Sequence, residues 1–415
     1  MNTPTLAAHT GAKPEILDVV QQTDCCIVGG GPAGAILALL LARQGIKVIL
    51  VEVHRDLDRD FRGDTIHPST MEIMAELGLA DRLLALPHTK ISELNIQPPS
   101  GEPFHADFRG LNTKYPFITV MPQVKFLEFI VAETDRYPNF QAIMGANVQE
   151  LVTEGDTIRG VRYRGHGGWH EIRARLTVGA DGRHSKVREL IGEVSAGNTP
   201  PLDVLWFRLP RHSSEPVGLS GRIGKGAMMA MVDRGELWQI AYIFPKDGYQ
   251  QIRHAGLAAL RSSIVATAPE LIDRVELLQD WSQIAFLSVE SGRVDRWYRS
   301  GLLLIGDAAH PMSPVAGVGI NYAIQDAVVA ANLLSQPLKS GAVKVTDLAK
   351  VQRQRELPTR IIQGFQSLVQ NRIVAQALAT TDTGFKLPWL MRLPWFRYLP
   401  PRLIGLGVFP VRVRC

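Results

Sequence analysis

No stretch of this chain limits its fold as tightly as the glycine-rich one between Asp24 and Glu52. A short apolar run precedes the glycines, a helix-forming run follows them, and a second apolar run ends at Glu52. Gly29, Gly31 and Gly34 have the spacing GxGxxG, which leaves room for a pyrophosphate to reach backbone N–H groups at a helix N-terminus. The order strand, tight turn, helix and strand predicts a dinucleotide-binding unit, in which Glu52 accepts a hydrogen bond from a ribose hydroxyl.

Two other interpretations of this stretch compete with the dinucleotide site. Residues 25–42 carry no charge and are nearly long enough to span a bilayer, but consecutive glycines and Pro32 interrupt them and charged sequence follows. A glycine turn of purely structural meaning explains the glycines but not the position of Glu52. The dinucleotide site is therefore the preferred interpretation.

Composition indicates a soluble globular protein. The 415 residues are 46% hydrophobic and 20% charged, which suits two domains or one large composite domain. The three cysteines, Cys25, Cys26 and Cys415, form neither a metal-binding spacing nor a disulfide framework, so we expect a cytoplasmic protein without a metal site. Residues 1–22 lack the apolar core of a signal peptide and are expected to form a flexible extension.

The net charge of +5 is concentrated in the last part of the chain. Residues 384–415 contain six basic side chains and no acidic one, so we expect no nucleic-acid partner for the rest of the chain. Their interleaved aromatic residues suit peripheral contact with the inner face of a membrane. The alternative, packing against the body, is favoured because several prolines preclude one long amphipathic helix.

Local patterns predict further elements. Helices are expected from Pro68 to about Gly78, over Gln123–Thr134 and over 346–380, and strands over 90–122 and 141–175. Residues 202–285 are rich in tryptophan, methionine and aromatic residues at strand spacing. Most such side chains form a core, but a ligand pocket is also apolar and aromatic. The candidates for substrate contacts are Trp206, Arg208, Met229, Trp238 and Tyr242.

Two later motifs follow predicted strands. Asp181-Gly182 comes directly after an apolar run and, taken alone, indicates a turn. Asp307 follows the buried run 302–305 and precedes a loop rich in proline and glycine, with a helix from about Gly319. A carboxylate there can accept from polyol hydroxyls, and the helix N-terminus can stabilise negative charge. A buried aspartate that caps a helix would explain Asp307 but not the prolines and glycines.

Together the three motifs resemble the single-component (class A) FAD-dependent monooxygenases typified by para-hydroxybenzoate hydroxylase, over residues 24–334. The resemblance implies an α/β fold in which a Rossmann-type FAD-binding domain is interleaved with a β-sheet substrate domain. The FAD-binding domain would comprise 23–95, 123–200 and 286–345, the substrate domain 96–122 and 201–285, and C-terminal helices with a basic aromatic tail 346–415.

The resemblance also implies which residues hold FAD. Asp307 would bind the ribityl chain, Asp181 would serve both FAD and the NAD(P)H groove, and Pro314 would face the isoalloxazine, with His310 a weaker candidate. No catalytic side chain is predicted. The full set of expected cofactor contacts is Gly29, Gly31, Pro32, Ala33, Gly34, Glu52, Val53, Arg62, Gln123, Asp181, Gly306, Asp307, Pro314, Gly317, Gly319, Ile320 and Asn321.

The implied reaction uses NADPH or NADH to reduce FAD, after which O₂ gives a flavin C4a-hydroperoxide that hydroxylates or epoxidises an electron-rich substrate. Residues 202–285 lack the tyrosine and arginine cluster that grips a small carboxylate, so we expect a lipophilic small molecule that is larger and more apolar than a benzoate, either aromatic or isoprenoid-bearing. The alternatives are an oxidoreductase of the same fold that inserts no oxygen and a non-catalytic flavin-binding module. A halogenase is disfavoured because the WxWxIP motif is absent.

Overall fold

The computed structural model describes residues 17–57, 64–97, 104–197, 199–224, 226–378 and 399–414. The strands form three sheets, of eight, seven and three strands, and helices pack on them. The predicted α/β class is confirmed. The strands are β1 (Leu17–Val28), β2 (Val48–Glu52), β3 (Thr65–Ile66), β4 (Thr89–Ile91), β5 (Glu93–Gln97), β6 (Phe104–Asp107), β7 (Ile118–Val120), β8 (Phe140–Met144), β9 (Asn147–Glu154), β10 (Thr157–Gly165), β11 (Gly168–Gly179), β12 (Leu202–Pro210), β13 (Leu219–Ile223), β14 (Met228–Asp233), β15 (Leu237–Pro245), β16 (Ala285–Leu287), β17 (Tyr298–Arg299) and β18 (Leu302–Leu304).

The α-helices include those predicted after Pro68, over Gln123–Thr134 and from Gly319. The long helical region after 345 is also present and contains Pro358. The bounds are α1 (Pro32–Arg43), α2 (Pro68–Glu76), α3 (Ala80–Leu84), α4 (Gln123–Thr134), α5 (Lys186–Leu190), α6 (Tyr249–Thr267), α7 (Gly319–Lys339), α8 (Val345–Val369), α9 (Ala375–Leu378) and α10 (Leu399–Gly405).

The eight-stranded sheet has a parallel centre in the order β18-β11-β1-β2-β8. Its central strands are apolar runs that are buried on both faces, as expected for a parallel sheet covered by helices. Helices α1 and α7 pack against each other on one face and contribute a large share of its core. Because the strands are parallel, the ends of β1, β2, β11 and β18 that carry the predicted cofactor residues lie at one edge.

Strand β1 corrects the expected N-terminal boundary. It begins at Leu17, inside the segment expected to be an extension, and Val20 and Gln22 pair with Glu171 and Arg173 of β11. The reason is the length of β11, which extends beyond the central sheet and offers backbone partners to the residues before Asp24. Residues 1–16 lie outside the described part of the chain.

The seven-stranded sheet has the order β16-β12-β15-β14-β13-β5-β6. Its strands come from 93–107 and 202–287, whereas β7, inside the segment 96–122 expected to belong to it, joins β3 and β4 in the three-stranded sheet. One face of the seven-stranded sheet packs on α6 through Leu260 and Ile264. The other face meets Val315, which lies just ahead of α7. The seven-stranded sheet therefore reaches the edge where the cofactor residues gather.

The described C-terminal segment, 399–414, packs on the body. Arg412 Nη1 lies 2.8 Å from Glu76 Oε1, and the Val413 N–H donates to Glu76 Oε2 over 2.8 Å. Residues 379–398, which include most of the aromatic tail and of the predicted membrane contact, lie outside the described residues. Among the helices described, none has the length and apolar character needed to cross a membrane.

Candidate cofactor and substrate site

The turn between β1 and α1 uses its glycines in different ways. A Cβ at Gly29, whose φ is +107°, would lie 2.5 Å from the Ala180 carbonyl oxygen, and one at Gly34 would lie 2.0 Å from the Gly29 carbonyl oxygen. A Cβ at Gly31 would meet nothing within 4 Å. Gly31 is also the N-cap of α1 and no side chain caps that helix end. Open space beside uncapped N–H groups fits the pyrophosphate of a dinucleotide.

Glu52 ties the end of β2 to this turn. Its side chain is buried, its Oε2 accepts from the Gly30 N–H at 2.7 Å and its Oε1 from the His54 N–H at 3.1 Å. These two bonds orient the Glu52 carboxylate at the turn, and the next residue, Val53, is half exposed.

Asp181 lies beside the same turn, because a Cβ at Gly29 would be 2.7 Å from the Asp181 Cα. Its Oδ1 accepts from Ser185 Oγ at 2.5 Å and its Oδ2 from the Val187 N–H at 3.0 Å. Burial raises the pKa of Asp181, although these hydrogen bonds oppose the rise. Its carboxylate thus organises the turn that leads into α5.

Asp307 is more open. Its side chain is 28% exposed and its Oδ2 lies 4.0 Å from Arg183 Nη2. Arg188 Nη1 donates to the carbonyl oxygens of Asp307 and Ala308 at 3.2 and 2.9 Å. The carboxylate is thus presented at the end of β18, where polyol hydroxyls can reach it, while Arg188 fixes its backbone.

A buried ionic cluster supports this turn from below. Asp326 Oδ2 accepts from the Gly306 N–H at 3.0 Å and from His310 Nε2 at 2.5 Å, and Asp326 Oδ1 accepts from Arg355 Nε at 2.7 Å. Burial alone would raise the pKa of Asp326, but His310 and Arg355 outweigh it and lower that pKa. His310 also packs on the Trp297 ring and is 1% exposed, so its ring is enclosed by the surrounding core.

The loop before α7 is fastened to β3 and α2. Asn321 Oδ1 accepts from the His67 N–H at 2.8 Å and from Thr70 Oγ1 at 2.7 Å. The Gly317 carbonyl oxygen accepts from Thr65 Oγ1 at 3.2 Å. Asn321 therefore orients the loop, and its side-chain oxygen is occupied by these two bonds.

This loop also carries backbone strain. Ala316 has φ +66° and Gly317 φ +62°, and a non-glycine residue in this region is uncommon and is often found at a ligand site. α7 starts at Gly319 without a side-chain cap, and Pro314 and Ile320 are partly exposed nearby. The N-terminus of a helix of this length carries partial positive charge, which suits the electron-rich end of a flavin.

Two predicted flavin contacts come from other segments. Arg62 lies outside the described residues. Gln123 is the first residue of α4, and its N–H donates to Asp64 Oδ1 at 3.2 Å. Asp64, Asp326 and Arg355 were not among the site residues predicted from the sequence, because their partners are far away in sequence.

The five candidate substrate residues do not share one face of the sheet. Trp206 packs in the cluster that contains Val315, and Arg208 lies two residues further along β12 on the same side. By contrast, the three candidates Met229, Trp238 and Tyr242 lie in the core against α6. This is a correction: the candidates were grouped by residue type, whereas strand alternation assigns them to opposite faces.

Comparison with known proteins agrees with this architecture. The family model described as FAD binding domain matches residues 22–362. The chain is 33% identical to 6-methylpretetramide 4-monooxygenase of Streptomyces rimosus, over 94% of each chain. Among solved structures, the flavin-dependent brominase Bmp2 superposes with a TM-score of 0.75 at 16% identity, covering 93% of this chain and 94% of that one.

A second solved structure is OxyS anhydrotetracycline hydroxylase from Streptomyces rimosus. It superposes with a TM-score of 0.72 at 22% identity, covering 94% of this chain and 77% of that one. At these identities the two structural likenesses concern the fold alone. A brominase and a hydroxylase share that fold, so the chemistry has to be argued from the residues and from the longer sequence match.

Proposed function

This chain belongs to the class A FAD-dependent monooxygenases of the FAD-binding-domain family, and from that premise we propose that it hydroxylates a polycyclic aromatic polyketide, with NAD(P)H and O₂ as co-substrates. The observation that supports this substrate class is the 33% identity to 6-methylpretetramide 4-monooxygenase over 94% of both chains. A match of that extent includes the seven-stranded sheet as well as the glycine turn. It therefore bears on the substrate side of the site.

When FAD is bound, it supplies the redox chemistry, namely oxidation of NAD(P)H and activation of O₂. The chain's own contribution begins with binding: the open turn at Gly31 receives the pyrophosphate, Glu52 a ribose hydroxyl and Asp307 the ribityl chain. The N-terminus of α7 stabilises negative charge at the end of the isoalloxazine. Asp181 and Arg183 border the groove that takes NADPH or NADH.

The substrate lies between Trp206 and the loop before α7. Trp206 shares an apolar cluster with Val315, Ala230 and Ile243, which suits a flat aromatic ring and excludes water. Trp206 Nε1 is buried without a partner in the described chain, so an oxygen of the substrate would satisfy it. Arg208 is exposed on the same face and would contact a polar edge of the ring system.

Localisation in the cytoplasm is also proposed. Cys25 and Cys26 are buried, unpaired thiols in β1, as suits a reducing compartment. Contact with the inner face of a membrane through residues 384–415 would bring the enzyme to lipophilic substrates. It would have to involve the part of the tail before Leu399, because the described segment is engaged with the body.

The test is turnover by the FAD-loaded enzyme with NADPH or NADH under ¹⁸O₂, on a panel of tricyclic and tetracyclic phenols, read by product mass. We expect one labelled oxygen in the product. Gly31→Ala serves as the control for flavin-dependent turnover, because its added methyl group blocks the proposed pyrophosphate site and leaves the substrate pocket unchanged. An unlabelled oxidised product would replace the proposal with oxidation without oxygen insertion, and no NAD(P)H consumption with any phenol would favour a non-catalytic flavin protein.

A further inference from the structure

Asp64 connects the segments that are expected to hold the flavin. Its carbonyl oxygen accepts from the Met121 N–H at 3.0 Å and its Oδ1 accepts from the Gln123 N–H at 3.2 Å, so it fixes the start of α4. The next residue, Thr65, bonds to the Gly317 carbonyl oxygen. Two consecutive residues therefore hold α4 and the loop before α7 together.

The other side of Asp64 faces the seven-stranded sheet. Its Oδ2 lies 3.5 Å from Nη2 of Arg234, which is in the turn between β14 and β15. The side chain of Gln239, on β15, hydrogen-bonds to the same carboxylate, and Arg208 is close enough for its charge to act on it. One carboxylate thus bridges the substrate-facing sheet and the cofactor-binding segments.

This ion pair is too buried to be an incidental surface contact. The Asp64 and Arg234 side chains are 10% and 12% exposed. Burial raises the pKa of Asp64 although Arg234 opposes the rise, and burial lowers the pKa of Arg234. Arg234 Nη1 is buried without a partner in the described chain, so Arg234 depends on Asp64 for compensation of its charge.

We propose that Asp64 is a positioning residue that couples the seven-stranded sheet to the FAD-binding segments through its ion pair with Arg234. The inference rests on the proposed function, since it concerns how ring and flavin are aligned. A substrate held on β12 and a flavin held by α4 and the loop before α7 would keep a fixed separation through this pair. Oxygen transfer depends on such alignment, because a displacement of about 1 Å is enough to cost a hundredfold in rate.

The first test needs no substrate. FAD affinity of the apoprotein is measured by quenching of FAD fluorescence for wild type, Asp64→Asn, Arg234→Gln and the double variant. We expect each single variant to raise the Kd for FAD about tenfold, and the double variant to be no weaker than the weaker single one, because both remove the same pair. The Asp64→Asn variant retains a side-chain acceptor for the Gln123 N–H, which limits local damage.

Two controls separate coupling from general loss of stability. Asp203→Asn removes a buried carboxylate on β12 of the seven-stranded sheet. Asp203 pairs with Lys246 at 2.8 Å and accepts from the Val289 N–H at 3.0 Å, and neither partner is an expected FAD contact. This variant should lower thermal stability and leave the Kd for FAD unchanged. Arg234→Lys keeps the charge and should bind FAD nearly as wild type does. The proposal fails if Arg234→Gln binds FAD like wild type or if the effects of the two single variants add.

A second readout uses turnover with a phenol that wild type hydroxylates. In Asp64→Asn and Arg234→Gln saturated with FAD, we expect the yield of hydroxylated product per NADPH to fall severalfold and H₂O₂ to rise, whereas Asp203→Asn keeps the wild-type yield. If no phenol is hydroxylated by wild type but the two single variants remain coupled in FAD binding, the inference stands and the proposed function falls. If wild type hydroxylates a phenol but the effects of the two single variants on the Kd for FAD add, the proposed function stands and the inference about Asp64 falls.

Discussion

A methyl group at Gly34 would lie 2.0 Å from the Gly29 carbonyl oxygen, whereas one at Gly31 would meet no atom within 4 Å. The two glycines of one motif are thus required for different reasons. Gly34 is required for folding, because a side chain there would clash with the backbone of the tight turn. Gly31 is needed by the ligand, since only a bound pyrophosphate would fill the space beside it.

This difference predicts opposite phenotypes for two similar substitutions. Gly31→Ala should fold with the thermal stability of the apoprotein unchanged and lose FAD affinity at least tenfold. Gly34→Ala should be destabilised or insoluble before FAD is added, because the added methyl forces the turn apart. Thermal melting without FAD and FAD titration distinguish the two, and equal behaviour of both variants would contradict the assignment.

The Asp326 cluster gives a second prediction at this scale. Asp326 and Arg355 are both fully buried, so Asp326→Asn leaves a cation without compensation and should lower the free energy of unfolding by about 3–5 kcal/mol. Adding Arg355→Met should recover part of that loss, since no buried charge then remains. Urea unfolding measures both values, with Glu128→Gln at the exposed pair with Lys125 as a control of little effect.

At the scale of elements, the C-terminal segment is attached to α2 rather than free. His67 at the N-cap of α2 is fully buried, and its Nδ1 donates to the Ile404 carbonyl oxygen at 2.7 Å. Together with the contacts of Arg412 to Glu76, this holds α10 over the start of α2 and near the loop before α7. The last described segment thus supports the same residues that orient Asn321.

His67 makes this attachment sensitive to acid. Burial lowers its pKa from 6.5 to about 4, although the Ile404 carbonyl opposes the shift. Between these values the unfolded chain binds a proton that the folded chain does not. The free energy of unfolding should therefore decrease as the pH is lowered from 6.5 towards 4, by up to roughly 1.4 kcal/mol per pH unit. Urea titrations at pH 7 and pH 5 should show a weaker dependence in His67→Gln, and the wild-type dependence in His254→Gln, where the residue is exposed.

At the scale of the whole molecule, the sequence predicted the elements better than their long-range partners. The β1–α1–β2 unit, α4, α7 and the α/β class follow from local periodicity and were confirmed. The start of β1 at Leu17 depends on the length of β11, and the bridge from Asp64 to Arg234 joins residues far apart in sequence. Such pairings leave no local pattern, and the strand faces around Trp206 needed a register that only the folded sheet provides.

FAD should stabilise the folded chain as a whole, because it would contact segments from the eight-stranded sheet, α4 and α7 together. A ligand at a hundred times its Kd adds about 2.7 kcal/mol to the stability of a protein that binds it only when folded. Thermal melting should therefore shift upward with FAD concentration in wild type, and at the same FAD concentrations much less in Gly31→Ala. A shift of equal size in both proteins would argue against the turn as the pyrophosphate site.

The topology of the eight-stranded sheet also bears on synthesis. β11 is complete at Gly179, but β18, which pairs with it, is complete only at Leu304. A ribosome adding roughly 5–20 residues per second needs on the order of 6–25 s to cover that distance. Throughout this interval β11 lacks the neighbour that covers one of its edges, and an open strand edge recruits other chains. Nascent chains that stall before Leu304 should therefore be substrates for chaperones, and truncations ending there should aggregate rather than fold.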